Sequence, residues 1–84
     1  MKYYYITFRS VTYAQRAERL LQQKGIRCAL QRTPRWMEEQ GCGYCLRLQT
    51  RDGSEAIRLL REQQMPLRKT YIQMPDGRLE EAAL

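Results

Sequence analysis

Apolar and polar positions alternate from Tyr3 to Phe8, which predicts a strand with Tyr4, Ile6 and Phe8 on one face and Tyr3, Tyr5 and Thr7 on the other. The period then lengthens. Ala14, Ala17, Leu20 and Leu21 recur at the three-and-four spacing of one buried helix face, with Ser10 or Thr12 placed to cap the start. That helix runs to about Lys24, and Gly25 is its stop. Ile26 to Leu30 predicts a second strand, with Ile26, Cys28 and Leu30 on one face. Thr33-Pro34 can open one short helical turn through Glu39. Tyr44 to Gln49 predicts a third strand, with Tyr44, Leu46 and Leu48 facing the core. Asp52-Gly53-Ser54 caps a second helix, Ala56, Ile57, Leu59 and Leu60 form its apolar face, and Pro66 bounds it. Lys69 to Met74 predicts a fourth strand, and Pro75-Asp76-Gly77 a turn. For residues 77–84 the pattern selects neither a short helix nor a frayed end.

The resulting order, β-α-β-β-α-β, predicts a ferredoxin-like α/β sandwich. Its four-stranded antiparallel sheet would run 4-1-3-2 with two helices on one face. Residues 1–76 form the expected single domain and 77–84 a C-terminal tail. With 84 residues and 43% hydrophobic content, the chain can build one modest core but no deep cleft.

Charge adds one possibility. Fifteen Lys and Arg against nine Asp and Glu give a net charge of +6, which suits an acidic partner or nucleic acid. The arginines are scattered rather than clustered, so a solvated basic surface is the preferred reading and a nucleic-acid partner is not expected. No apolar run reaches membrane length and the first residues lack a signal-peptide core, so a cytoplasmic location without membrane attachment is the expectation.

The chain has three cysteines and no histidine. An odd count without an export signal predicts reduced thiols rather than a disulfide framework. The missing histidine removes the Cys-His dyad and His-ligated zinc, and three cysteines alone do not complete a structural zinc site, so neither a metal nor another cofactor is expected. Cys28, at an inward strand position, reads as a small hydrophobe. Cys42 differs. It stands between Gly41 and Gly43, which clear side chains from both sides of the thiol. The predicted topology brings the start of the third strand beside the end of the first, near Arg9, Ser10 and the first helix start. Unpaired helix N–H groups and an arginine both stabilise a thiolate and lower its pKa. Cys45 makes a C-x-x-C with Cys42. If Tyr44 is already in a strand, the two Cα atoms are about 10 Å apart, beyond the ~7 Å limit of a disulfide, unless Gly43 bends the chain.

The pieces Tyr4-Tyr5-Ile6-Thr7-Phe8-Arg9-Ser10, Ala14, Ala17-Glu18-x-x-Leu21, Gly25-Ile26, Thr33-Pro34-Arg35 and Cys42-Gly43 resemble, in order and spacing, the Se/S carrier-like family, small proteins of unknown function with a Cys-Gly motif. The resemblance spans roughly residues 1–65. It implies a carrier rather than an enzyme. Cys42 would accept sulfur or selenium as a persulfide or its selenium analogue, with Gly43 as its motif partner. A cysteine desulfurase-like donor and an acceptor enzyme would be its partners. Gln40-Gly41 before the pair and the extra Cys45 depart from the family pattern.

Two other readings come from the sheet. Tyr3, Tyr5, Cys45, Arg47 and Tyr71 share its predicted open face, and aromatics with arginine on such a face are how RNA-recognition domains stack bases. Gln40 to Arg47 matches the corresponding RNA-binding motif poorly, because Gln40, Cys42 and Arg47 replace its basic and aromatic positions. An exposed row of tyrosines equally fits a homodimeric adaptor without chemistry.

Overall fold

The computed structural model describes residues 2–33 and 43–82. The elements are β1 (Tyr3–Phe8), α1 (Val11–Gln23), β2 (Cys28–Arg32), β3 (Tyr44–Gln49), α2 (Gly53–Glu62), β4 (Leu67–Gln73) and β5 (Leu79–Ala82). They form a two-helix α/β structure on one five-stranded sheet, ordered β2-β3-β1-β4-β5 and antiparallel throughout.

The helices form where the sequence supplies caps and a single apolar stripe. Ser10 is the N-cap of α1, its Oγ accepting the Tyr13 N–H at 3.2 Å. At the other end Gly25 takes a left-handed φ of 84°, while the Gly25 and Ile26 N–H groups donate to the Gln22 and Leu21 carbonyls. α2 ends the same way, with Gln64 at φ 55° and Met65 N–H donating to the Leu60 carbonyl. A 3-10 turn (Thr50–Asp52) leads into α2, and Asp52 makes no side-chain cap bond, so the predicted Asp52 cap is replaced by backbone closure from Gly53 N–H to the Thr50 carbonyl. Gly53 lies against the Tyr4 ring, where an added Cβ would meet ring carbons at 3.1 Å.

Both helices bury their stripes on one sheet face. Ala14, Ala17, Leu21, Ala56, Ile57, Leu59 and Leu60 pack with Tyr4, Ile6, Phe8, Leu46 and Leu48 in a single core. The alternation predicted for β1 and for Leu46 and Leu48 of β3 is the one observed. Tyr44 does not join this core; its ring instead lies under the Arg32 guanidinium, 5.5 Å from the centroid.

The bounds of two strands, β2 (Cys28–Arg32 for the expected 26–30) and β4 (Leu67–Gln73 for 69–74), and the strand count differ from expectation. β2 begins at Cys28, because Ile26 is held back by the turn that closes α1. β4 begins at Leu67, two residues early, opposite Phe8 past a bulge between Ile6 and Phe8. The sheet has five strands, not four. Pro75-Asp76-Gly77 closes a hairpin: Met74 N–H donates to the Arg78 carbonyl at 2.6 Å, Arg78 N–H donates to Asp76 Oδ1 at 3.0 Å, and Gly77 takes φ 91°. Residues 79–82 then pair with β4, and the Thr70 hydroxyl donates to the Ala82 carbonyl at 3.1 Å. Tertiary pairing overrides the helical propensity of Leu-Glu-Glu-Ala.

Candidate functional site

The end of β1 and the start of β3 lie side by side, because Thr7 pairs with Cys45 in the antiparallel register. Arg9, exposed, and Ser10 follow β1 directly; Gly43 precedes β3. Gly43 takes a left-handed φ of 82°, and its carbonyl accepts the Thr33 N–H at 2.9 Å, which ties it to the end of β2 as well. Arg9, Ser10, Gly43 and the N-terminus of α1 therefore share one end of the sheet. Ser10 Oγ is engaged by Tyr13, so the N–H groups of Val11 and Thr12 are the ones left to face an anion there. Cys42 and Gly41 lie outside the described residues, as does the predicted turn through Glu39.

The other two cysteines are built into the fold in different ways. Cys28 is half-buried and its thiol donates to the Glu18 carbonyl at 3.7 Å. Burial, and then the Glu18 carboxylate, push its pKa up to about 11. Few thiolates form there near neutral pH, which agrees with the reading of Cys28 as structural. Cys45 is wholly buried in β3, flanked by Thr7 of β1 and Gln31 of β2, and packs with Tyr5 and Tyr71 on the sheet face away from the helices.

The sequence profile of the family described as Putative Se/S carrier protein-like matches residues 3–72. The chain belongs to this family. No curated protein and no solved structure gave a significant match.

In this Se/S carrier-like chain the face away from the helices is not the open row of tyrosines expected. Tyr5 and Tyr71 are 9% and 6% exposed, with Tyr3 and Leu79 packed beside them. Desolvation raises the Tyr5 hydroxyl pKa, with Arg47 opposing the rise. Tyr3 is partly exposed, but the Arg47 guanidinium already covers its ring, 4.5 Å from the centroid. Base stacking needs a ring face that a base can reach, and neither Tyr5 nor Tyr71 offers one.

The structure also shows groupings that linear reading missed. β2 is an edge strand, yet α1 covers its outer edge: Glu18 Oε2 accepts the Leu30 N–H at 3.1 Å and Gln22 Nε2 donates to the Cys28 carbonyl at 3.4 Å. At the sheet end far from Gly43, Lys2, Arg27, Arg47 and Arg51 come together from three separate stretches of sequence. Strand polarity was the available signal, since Lys2, Arg27 and Arg51 all border strand ends that an antiparallel sheet brings to the same side. Among the described residues no helix is long and apolar enough to cross a membrane.

Proposed function

We propose that this protein is a sulfur or selenium carrier whose acceptor atom is the Cys42 thiolate. The observation that carries the reading is the family membership over residues 3–72, joined to the state of the other two thiols. Cys28 is held protonated by burial and Glu18, and Cys45 is sealed in the sheet, so of the three cysteines Cys42 is the candidate nucleophile. Arg9 and the start of α1 would stabilise its anion, Gly41 and Gly43 would let a partner's active site approach it, and Ser10 would fix the helix start. The architecture supports a ferredoxin-like βαββαβ frame with β5 added at the β4 edge.

The transfer is a displacement between sulfurs. The Cys42 thiolate attacks the outer sulfur of a donor persulfide. The donor's S–S bond breaks, its electron pair leaves on the donor thiolate, and Cys42 becomes the persulfide. A second thiolate, on an acceptor enzyme, repeats the step in the other direction, and a selenium analogue follows the same balance. The partners are a cysteine desulfurase-like donor and an acceptor enzyme, and the setting is the cytoplasm.

The test is intact-mass spectrometry after incubation with a cysteine desulfurase and cysteine. A sulfur adduct is expected on the wild type and on Cys28→Ala and Cys45→Ala, absent from Cys42→Ala, and released by reductant. An adduct that lives longer in Cys45→Ala would make Cys45 a resolving thiol and the site a redox pair. Alkylation gives a second readout: Cys42 should react first, below the reference thiol pKa of about 8.5, and Arg9→Ala should raise its apparent pKa. Cys42 reacting no faster than Cys28 would remove the basis of the carrier reading.

A further inference from the structure

The sheet end away from Gly43 carries a track of net positive charge. Three adjoining shallow clefts meet there. One is lined by Lys2, Gln49, Thr50 and Arg51, one by Arg27 and Arg47 with Gln49 and the apolar Tyr3, Cys28, Ala29 and Leu48, and one by Arg27, Gln49, Arg51 and Asp52 with Gly25. Gln49 borders all three, and among the described residues Asp52 is the only carboxylate lining any of them. Among the described residues, Lys2, Arg27, Arg47 and Arg51 make no ion pair, whereas Arg58, Lys69 and Arg78 each pair with carboxylates. The N-terminus of α2 opens at the same end without a side-chain cap. The Thr50 hydroxyl beside it is buried and has no hydrogen-bond partner among the described residues. Four cations with one carboxylate, Asp52, beside them leave a net positive charge, so an anion that joins them is stabilised.

We propose that this end of the sheet binds the phosphate backbone of a single-stranded nucleic acid. The clefts are open and strung side by side, which suits a linear polyanion better than one small anion in an enclosed pocket. Three of the four cations are arginines, whose planar fork matches phosphate oxygens. The Arg47 guanidinium stacked on Tyr3 presents a flat surface on which a base can lie. An acidic protein would meet the same charges, but the flat Arg47 guanidinium over Tyr3 favours a polyanion that carries bases. The track adjoins the Tyr5–Tyr71 cluster through Tyr3, while the rings of Tyr5 and Tyr71 are themselves closed to bases. From Gln49 to Gly43 is six residues of extended chain, about 20 Å at strand rise, so the track does not share groups with the proposed thiol site.

The experiment is fluorescence anisotropy of a labelled single-stranded RNA of about 12 nucleotides, titrated with the full chain at several salt concentrations. Arg27→Gln/Arg51→Gln removes two cations from the track. Arg16→Gln/Arg19→Gln removes two exposed cations from α1 and leaves the same net charge. Each phosphate contact on a single strand contributes about 0.7 to the slope of log affinity against log salt. The track variant should therefore show a slope shallower by about 1.4 and an affinity about tenfold or more lower near 0.1 M salt, and the α1 variant a change below about twofold. Cys42→Ala should leave RNA affinity unchanged, so this result stands or falls apart from the carrier reading. Equal losses from the two double variants, or no binding at about 50 mM salt, would overturn the proposal. So would polyglutamate binding as tightly as RNA with the same dependence on Arg27 and Arg51, which would make the surface a dock for acidic protein.

Discussion

The two faces of the sheet hold together by different means. Toward the helices, Ile6, Phe8, Leu46 and Leu48 meet Ala14, Ala17, Leu21, Ala56 and Leu60, with small helix residues letting large strand residues in. Away from the helices, the buried hydrophobic cluster among the described residues is Tyr5, Cys45 and Tyr71, bordered by Tyr3 and Leu79 and then by Arg47 and the Lys69–Glu81 pair. The first face removes almost entirely hydrocarbon from water, with the Tyr4 ring bringing in a hydroxyl. The second buries mainly rings that carry hydroxyls, and charged side chains, Arg47 and the Lys69–Glu81 pair, stand at its border. The difference assigns labour: the helix face decides whether the chain folds, and the other face is where charge and polar groups can be spent on partners.

The sharpest way to break that division is to empty one position on each face. Phe8 is fully buried on the helix face, and Phe8→Ala should cost about 3–5 kcal/mol. A domain of this size is typically stable by only about 0.05–0.15 kcal/mol per residue, so this variant should sit near its unfolding midpoint already in dilute denaturant. Urea unfolding followed by circular dichroism measures it. A loss under about 1 kcal/mol would mean that the helix face does not carry the core.

A smaller effect separates the two described cysteines. Cys45→Ala removes a sulfur from the Tyr5–Tyr71 cluster at a position with no solvent exposure, and should cost about 1–2 kcal/mol in lost packing. Cys28→Ser should cost under about 0.5 kcal/mol, because a hydroxyl there can donate to the Glu18 carbonyl that the thiol already uses. Equal losses in the two variants would show that the second face is not a distinct buried cluster. The pH dependence of Cys28 follows the same logic. Its thiol is protonated in the fold up to about 11. The unfolded thiol ionises near its ordinary value, so the stability that this group contributes is intact below that value and is lost as pH rises toward 11.

How much of this was legible in the chain depends on whether a signal is local. The β1 alternation, the α1 stripe and Gly25 are local, and each predicted its element to within a residue or two. The end of α2 was marked only by Pro66, since Gln64 occupies a left-handed position that composition would assign to glycine. β5 was not legible. Leu79-Glu80-Glu81-Ala82 has no strand pattern, and it is extended because β4 offers an unpaired edge one tight turn away. The buried state of Tyr5 and Tyr71 was equally hidden: parity fixes which face a residue takes, but not what covers it. Of the candidate site, Arg9, Ser10 and Gly43 could be brought to one end from strand order alone, whereas the cationic track at the other end needed strand polarity and the scarcity of nearby acids together. A search for charge clusters along the sequence could not have found it.

The smallest effect probes the border where the second face meets the cationic track. Arg47 lies over the Tyr3 ring, 4.5 Å from its centroid. A guanidinium over an aromatic face at a partly exposed site contributes about 0.5–1 kcal/mol. The clean measurement is a double-mutant cycle in urea with Arg47→Gln and Tyr3→Leu. It cancels the separate losses of charge and ring area and leaves the coupling between them. A coupling of about 0.5–1 kcal/mol is expected. It should largely survive an increase to about 1 M salt, where screening acts over ~3 Å and the ring contact excludes ions from between the partners. Nucleic-acid affinity at the same arginine should fall steeply over that range, because phosphate contacts are opposed by counterions in bulk. The two salt responses distinguish the jobs that one side chain is given: packing against Tyr3 as part of the face, and presenting charge at its edge. A coupling of zero would mean that Arg47 is held by the strand alone. The stacked, base-ready geometry at this end would then lose its support, while Arg27 and Arg51 would still have to be tested on their own.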